Sequence, residues 1–196
     1  MTFSQRATLF TSAGFRAIEM GGGDVPVLQA FFNANPAYYL IVSGQPAKHD
    51  EAHEEVHGAL PDGWPHTKKW IIGFTDEANS LIGMANVVSD LLAPKVWHIG
   101  FFLVPTALHG SGAAQSLYRA LEGWMCTHGA TWLRLGVVEG NVQGEGFWNA
   151  QGYVEVRKRT GIPFGKRINT VSVRVKALGG GDIAAYLQMV PRDLPD

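Results

Sequence analysis

The 196-residue chain has a single cysteine, Cys126. An internal disulfide is therefore excluded, the fold must be held by packing alone, and a reducing compartment suits it. Charge is equally sparse: 17% of residues are Asp, Glu, Lys or Arg, and the formal net charge is −1. Such a chain lacks the basic footprint of a nucleic-acid binder and the polybasic patch of a membrane-surface protein. No stretch approaches the roughly 18 apolar residues of a membrane span. The opening MTFSQRATLFTSAGF has no apolar region of signal-peptide length, so the expected location is the cytoplasm. Internal repeats and low-complexity runs are absent as well. What is there is an ordinary globular composition, 46% hydrophobic, at a length that buries a core without staples. One folded domain is expected over residues 1–178. A flexible tail, residues 179–196, follows from Gly179-Gly180-Gly181, with Ile183, Tyr186, Leu187 and Met189 available to dock on a partner such as a second copy in a homodimer.

Apolar spacing gives the element order. Residues 15–20 alternate as a strand, and Asp24 then caps a helix with Pro26 in its first turn and Leu28, Phe31 and Phe32 at helical spacing. Pro36 interrupts that helix, and residues 38–42 continue as a short apolar piece. Residues 48–60 read as a charged surface helix, and 69–75 with 81–88 as a hairpin. A strand over 96–104 precedes a helix carrying Ala113, Leu117, Leu121, Trp124 and Met125 on one face, with Gly129 as its left-handed cap. Residues 132–138 are almost continuously apolar and read as a central strand covered on both faces. A last strand pair, 153–159 and 169–176, flanks a loop at 161–165. A meander followed by strand–helix–strand implies an α+β fold with mixed strand directions. Cys126, in the helix beside Trp124 and Met125, reads as a buried inert thiol, because no histidine can be placed beside it to make it a nucleophile.

The most informative stretch is 96–153. After the apolar strand VWHIGFFLVP comes the turn His109-Gly110-Ser111-Gly112-Ala113-Ala114, where a helix must begin. Amides at a helix N-terminus lack intrahelical partners and point with the helix dipole at a bound anion, so small residues there suit a phosphorylated ligand. The turn is neither a P-loop, since no lysine follows Gly112, nor a dinucleotide fingerprint, since position 115 is Gln and no acidic residue closes a second strand. Further on, Asn141, Gly144, Phe147, Trp148, Gly152 and Tyr153 follow the pattern N-x-x-G-x-x-F-W-x-x-x-G-Y.

Together with His109-x-x-Gly112-x-Ala114, this resembles the GNAT superfamily of acyl-CoA-dependent N-acyltransferases. That family's signatures are Q/R-x-x-G-x-G/A and one close to N-x-x-A-x-x-F-Y-x-x-x-G-F. The resemblance implies a mixed, mostly antiparallel sheet with flanking helices and a splayed strand pair that receives the pantetheine arm. It implies acetyl-CoA as cosubstrate, transfer of the acetyl group to a primary amine or an amino terminus, and no metal. By the same resemblance, backbone groups of Phe102, Leu103 and Val104 bond the pantetheine, with a bulge near Leu103 exposing them. His109, Gly110, Ser111, Gly112, Ala113 and Ala114 hold the diphosphate, Asn141 reaches the coenzyme while capping its own helix, and Phe147 and Trp148 wall the arm. Two positions depart from the pattern. His109 stands for Arg or Gln, and Trp148 for a Tyr that often protonates the departing thiolate, a role an indole cannot fill.

Candidate chemistry follows from what amide formation needs: a neutral amine held beside the thioester and a donor for the developing oxyanion. His98, on the strand before the turn, is the first candidate base, with an imidazole pKa near 6.5; its alternative is a strand histidine satisfied by a carbonyl. Glu139, at the end of the next strand, is the second, against a solvated loop carboxylate. Cys126 is a poor covalent relay, so direct attack in a ternary complex is expected, and a non-catalytic acyl-CoA sensor is the rival that Trp148 keeps alive. A literal H-E-x-x-H, His53-Glu54-Glu55-Val56-His57, with His49 one turn earlier, has zinc spacing. Its carboxylates mark a solvated face and no third-ligand continuation follows, so surface metal binding is expected there rather than a catalytic centre. The acceptor pocket should be bordered by Tyr38, Tyr39, the histidine helix and the loop at 161–165.

Overall fold

The computed structural model describes residues 6–12 and 14–195. Its elements run β1 (Thr8–Ser12), β2 (Phe15–Glu19), α1 (Val25–Ala34), α2 (Pro36–Ser43), α3 (Glu51–His57), β3 (Lys68–Thr75), β4 (Leu81–Ser89), β5 (Val96–Leu103), α4 (Ala113–Thr127), β6 (Trp132–Val138), α5 (Val142–Ala150), β7 (Val154–Phe164), β8 (Arg167–Ala177) and α6 (Ile183–Met189). The strands form one sheet in the order β1-β2-β3-β4-β5-β6-β8-β7. β5 and β6 are parallel, joined through α4, and the remaining neighbours are antiparallel.

Each face of the sheet has its own core. Leu117, Tyr118, Leu121, Trp124 and Met125 recur along α4 at helical spacing and pack with Trp148 of α5 onto Phe74, Ile99, Leu133 and Leu135. Burying each such side chain contributes about 1.5–3 kcal/mol before chain entropy is counted. On the other face Leu28, Phe31, Phe32, Tyr39 and Ala52 from α1, α2 and α3 cover Ile18, Ile71, Met84 and Leu103. A third cluster joins Val96, Trp132, Val156, Val173 and Val175 to Tyr186 and Val190 of the C-terminal segment.

Two irregularities position the site. Asn86 of β4 faces Phe101 whereas Val87 faces Ile99, so Gly100 is the extra residue of a bulge. The bulge thus lies at Gly100, three residues before the expected position. β5 and β6 pair only from Val96↔Trp132 to Ile99↔Leu135, although β5 runs on to Leu103 and β6 to Val138. Beyond Ile99 and Leu135 the two strands part, while β6 stays paired with β8 as far as Val138↔Val171.

Several expectations change. Pro36 does not leave a short apolar piece: it occupies the first turn of a second helix, α2, where its missing N–H costs nothing. Most of the expected loop at 161–165 is strand, since β7 continues to Phe164 and β8 resumes at Arg167, leaving only Gly165 and Lys166 as the turn. Cys126 is exposed, because it falls on the α4 face opposite the buried ridge. The C-terminal segment is not a loose tail. Asp182 caps α6 by accepting from the Ala185 amide (2.7 Å), and Tyr186 and Val190, one turn apart, are buried on β6 and β8.

Candidate functional site

The gap between β5 and β6 opens into a cavity of about 800 Å³ that passes from one face of the sheet to the other. Phe102, Gly110, Ala114, Phe147 and Trp148 line it on the α4–α5 side, and Tyr38, Trp64, His98, Arg134 and Arg159 on the opposite side. On the gap, the edge of β5 from Gly100 to Leu103 has no strand partner on its β6 side, so backbone groups facing that way are open to a ligand.

The turn after β5 is shaped by two left-handed glycines, Gly110 (φ 77°) and Gly112 (φ 85°). A Cβ on either would meet no neighbour, so conformation rather than crowding selects glycine there. Of the expected amides, that of Ser111 donates to the Leu108 carbonyl (3.3 Å) and that of Ala113 to Ser111 Oγ (3.3 Å). The amides of Gly110, Gly112 and Ala114, together with Gln115, have no partner among the described residues. The result is a set of open N–H groups at the start of a 15-residue helix, as an anion requires. His109 turns back: its Nε2 donates to the Val104 carbonyl (3.1 Å), tying the turn to the end of β5 and engaging one of the carbonyls expected to serve a ligand.

Asn141 caps α5, its Oδ1 accepting from the Gly144 amide (3.1 Å), and it also lines the cavity. Phe147 stacks on Phe102 (ring centroids 5.9 Å apart, 12° between planes), and Trp148 meets the same ring edge-on. The nearby phenols stand behind this wall. Tyr118 is fully buried, donates to Glu122 and lies 3.1 Å from the Tyr153 hydroxyl, and burial pushes its pKa above the ordinary value. Neither tyrosine lines the cavity.

His98 lies where β5 and β6 are still paired, opposite Arg134. Its Nδ1 is 3.1 Å from the Arg134 carbonyl, which fixes Nδ1 as the donor and leaves Nε2 as an acceptor. Burial, and then the Arg134 guanidinium, lower its pKa to about 3. The ring is therefore neutral, and the expected value near 6.5 does not hold. Arg134 itself is buried and reaches Asp193 through Nε (2.7 Å) and Nη2 (2.9 Å). Asp193 also accepts from Tyr186 (2.6 Å) and lies 3.3 Å from Arg159 Nη2. These donors hold the carboxylate below its usual pKa despite its burial. Glu139 is elsewhere: it forms an exposed ion pair with Lys158 (2.6 Å) and does not line the cavity.

The histidine helix also departs from expectation. The rings of His53 and His57 lie with centroids 4.7 Å apart and planes tilted by 44°, and Glu54 pairs with Lys48 at the surface. Glu55, expected on a solvated face, turns inward and accepts from Asn86 Nδ2 (2.5 Å), and burial raises its pKa. Among the described residues no group of three or more His, Cys, Asp or Glu side chains is arranged to hold a metal ion. Of the expected pocket borders, Tyr38 lines the cavity, as do Ile162 and Phe164 of β7; Tyr39 lies in the core beneath α2. Trp64, Arg134 and Arg159 are cavity residues that sequence reasoning missed. Arg134 left a trace, as the one charged residue in the apolar run TWLRLGVV.

Residues 30–153, more than half of the chain, match the sequence profile of the Acetyltransferase (GNAT) family. The chain therefore belongs to the GNAT acetyltransferase family. Similar solved structures carry the same fold at low identity. An acetyltransferase from Thermus thermophilus is 16% identical over 88% of this chain and 100% of its own, with a TM-score of 0.66. The spermidine N-acetyltransferase of Vibrio cholerae, in complex with CoA and spermine, is 16% identical over 85% and 96%, with a TM-score of 0.64. The Salmonella typhimurium acetyltransferase that modifies the N-terminal serine of ribosomal protein L7/L12 is 13% identical over 88% and 99%, with a TM-score of 0.69. No curated protein matches the sequence significantly.

Proposed function

We propose that this protein transfers an acetyl group from acetyl-CoA to a primary amine by direct attack in a ternary complex. The observation that carries the reading is the parting of β5 from β6 beside a turn whose amides at Gly110, Gly112, Ala114 and Gln115 are open. The diphosphate suits those amides, and the pantetheine arm suits the open edge of β5 between the walls of Phe102, Phe147 and Trp148. The thioester would then lie near the bulge at Gly100, with the amine arriving from the Tyr38 and His98 side. The Vibrio cholerae neighbour, solved with CoA and spermine, supports an amine acceptor, and the Salmonella typhimurium neighbour supports an amino terminus equally.

Acetyl-CoA supplies the activated acyl group; the protein supplies placement. His98 Nε2, neutral and accepting, orients an amine N–H but is too weakly basic to take a proton from an ammonium ion. The amine must therefore enter neutral or lose its proton to water. With an indole at position 148, and with Tyr118 and Tyr153 standing behind the wall rather than in it, the α4–α5 side of the cavity offers no phenol among the described residues, so on this reading the thiolate leaves without a tyrosine acid from that side. A sensor that binds acyl-CoA without turnover is the second reading, and Trp148 is the observation that favours it. Thiol release with acetyl-CoA and a panel of amines separates the two: turnover identifies the enzyme, and tight binding without turnover the sensor.

A further inference from the structure

We propose that the acceptor amine carries a carboxylate on an apolar body, and that Arg159 with the uncommitted edge of Arg134 binds that carboxylate. The inference rests on the acyl-transfer reading and names its substrate class. On the cavity side away from the diphosphate turn, Arg134 and Arg159 both line the wall. They share one acid, Asp193, which already accepts from Arg134 Nε and Nη2 and from the Tyr186 hydroxyl. Arg159 adds only a 3.3 Å contact to Asp193 and a 3.2 Å bond to the Arg192 carbonyl. Its Nε is buried with no hydrogen-bond partner among the described residues. Arg134 Nη1 has only His98 Nδ1, 3.4 Å away, a nitrogen already engaged by a carbonyl.

Two guanidiniums against one saturated carboxylate leave a positive charge and unmet donors in a wall otherwise built from Trp64, Ile162, Phe164 and Val173. Burying such a group without an anion is costly, and a planar fork matches a carboxylate's two oxygens. Burial and the neighbouring Arg134 charge lower the Arg159 pKa, and the acid it shares with Arg134, Asp193, opposes them only in part. At the other end of this side burial, and then Glu55 and Glu51 behind the wall, raise the Tyr38 pKa, so the acids stand at that end and the guanidiniums at the Arg159 end. A zwitterion with its amine toward Tyr38 and its carboxylate toward Arg159 fits that arrangement. A polyamine, cationic at both ends, does not.

The test uses the full chain with acetyl-CoA and matched acceptors: alanine, leucine and phenylalanine, their primary amides, phenethylamine and spermidine. The acids should exceed their amides in kcat/KM by about 10- to 100-fold, the range of a charge-assisted pair. Arg159→Gln should reduce that ratio to within about threefold, and Arg159→Lys should restore part of it. Calorimetry on the CoA-loaded protein should show N-acetylphenylalanine binding more tightly than its amide, with the difference lost in Arg159→Gln. Preference for amides or spermidine, or a ratio unchanged in Arg159→Gln, overturns the proposal while acyl transfer stands. If succinyl-CoA replaces acetyl-CoA with an Arg159-dependent gain on phenethylamine, the anion belongs to the acyl chain and the acceptor assignment is wrong. Arg159-dependent binding of N-acetylphenylalanine without thiol release from any amine would keep the carboxylate site and overturn the transfer reading. Neither binding nor release overturns both.

Discussion

At the scale of single residues, Gly112 and His98 are the positions at which the two halves of the proposed reaction can be tested separately. Gly112 has a left-handed backbone and an open amide, so Gly112→Asp adds strain and a negative charge where a diphosphate is proposed to lie. Acetyl-CoA affinity, read by calorimetry, should fall at least about tenfold with the fold retained by circular dichroism. His98 should act on turnover. As a neutral acceptor it contributes one hydrogen bond, and His98→Ala should lower kcat about tenfold while leaving coenzyme affinity unchanged. Its pKa of about 3, set by burial and Arg134 and opposed by Asp193, also fixes the pH dependence. No imidazole limb should appear near pH 6.5 in the kcat/KM profile, and activity should rise with pH as the amine loses its proton. An acidic limb near 6.5 that vanishes in His98→Ala would restore the histidine as base. For stability the sign is opposite to that of a salt-bridged histidine. The unfolded chain takes up a proton below about pH 6.5 that the folded ring refuses until about 3, so acidification through that window destabilises the fold.

At the scale of elements, the C-terminal segment holds a residue of the cavity wall, Arg134, although it is far from the family's signatures in sequence. Asp193 is fully buried beneath Arg134, 59 residues away in the chain, and Tyr186 and Val190 anchor it. Asp193→Ala would leave the Arg134 charge buried without its acid, at a cost of about 3–5 kcal/mol, visible as a lower urea midpoint. An unchanged midpoint would mean that the segment contributes nothing to the fold. The sequence could not show this pairing. Gly179, Gly180 and Gly181 advertise flexibility locally, and the partner that orders the segment lies on a distant strand. The turn at residues 109–114, by contrast, is legible because helix starts and left-handed glycines are local matters, and so are β3 through α4, where apolar spacing is unambiguous. The bulge slips from Leu103 to Gly100 because register depends on β4, which no pattern within β5 encodes. Arg159 stays hidden for a related reason: the alternation of β7 fades there, and the glycine and proline beyond it read as a loop although the strand continues.

At the scale of the whole molecule, one cavity crosses the sheet, with open backbone on one side and the charges proposed to meet the acceptor on the other. Nothing in acyl transfer requires a metal, and His53 and Glu54 are set on an exposed helix face. Dialysis against a chelator should leave thiol release intact; loss of activity together with stoichiometric zinc would reinstate the histidine helix as a centre. The most direct test of the central claim is thiol release from acetyl-CoA by purified protein, with and without amines, in wild type and Gly112→Asp. Amine-dependent release, sharply reduced in Gly112→Asp at subsaturating coenzyme, is the predicted result. Tight acetyl-CoA binding with no release for any amine would contradict it.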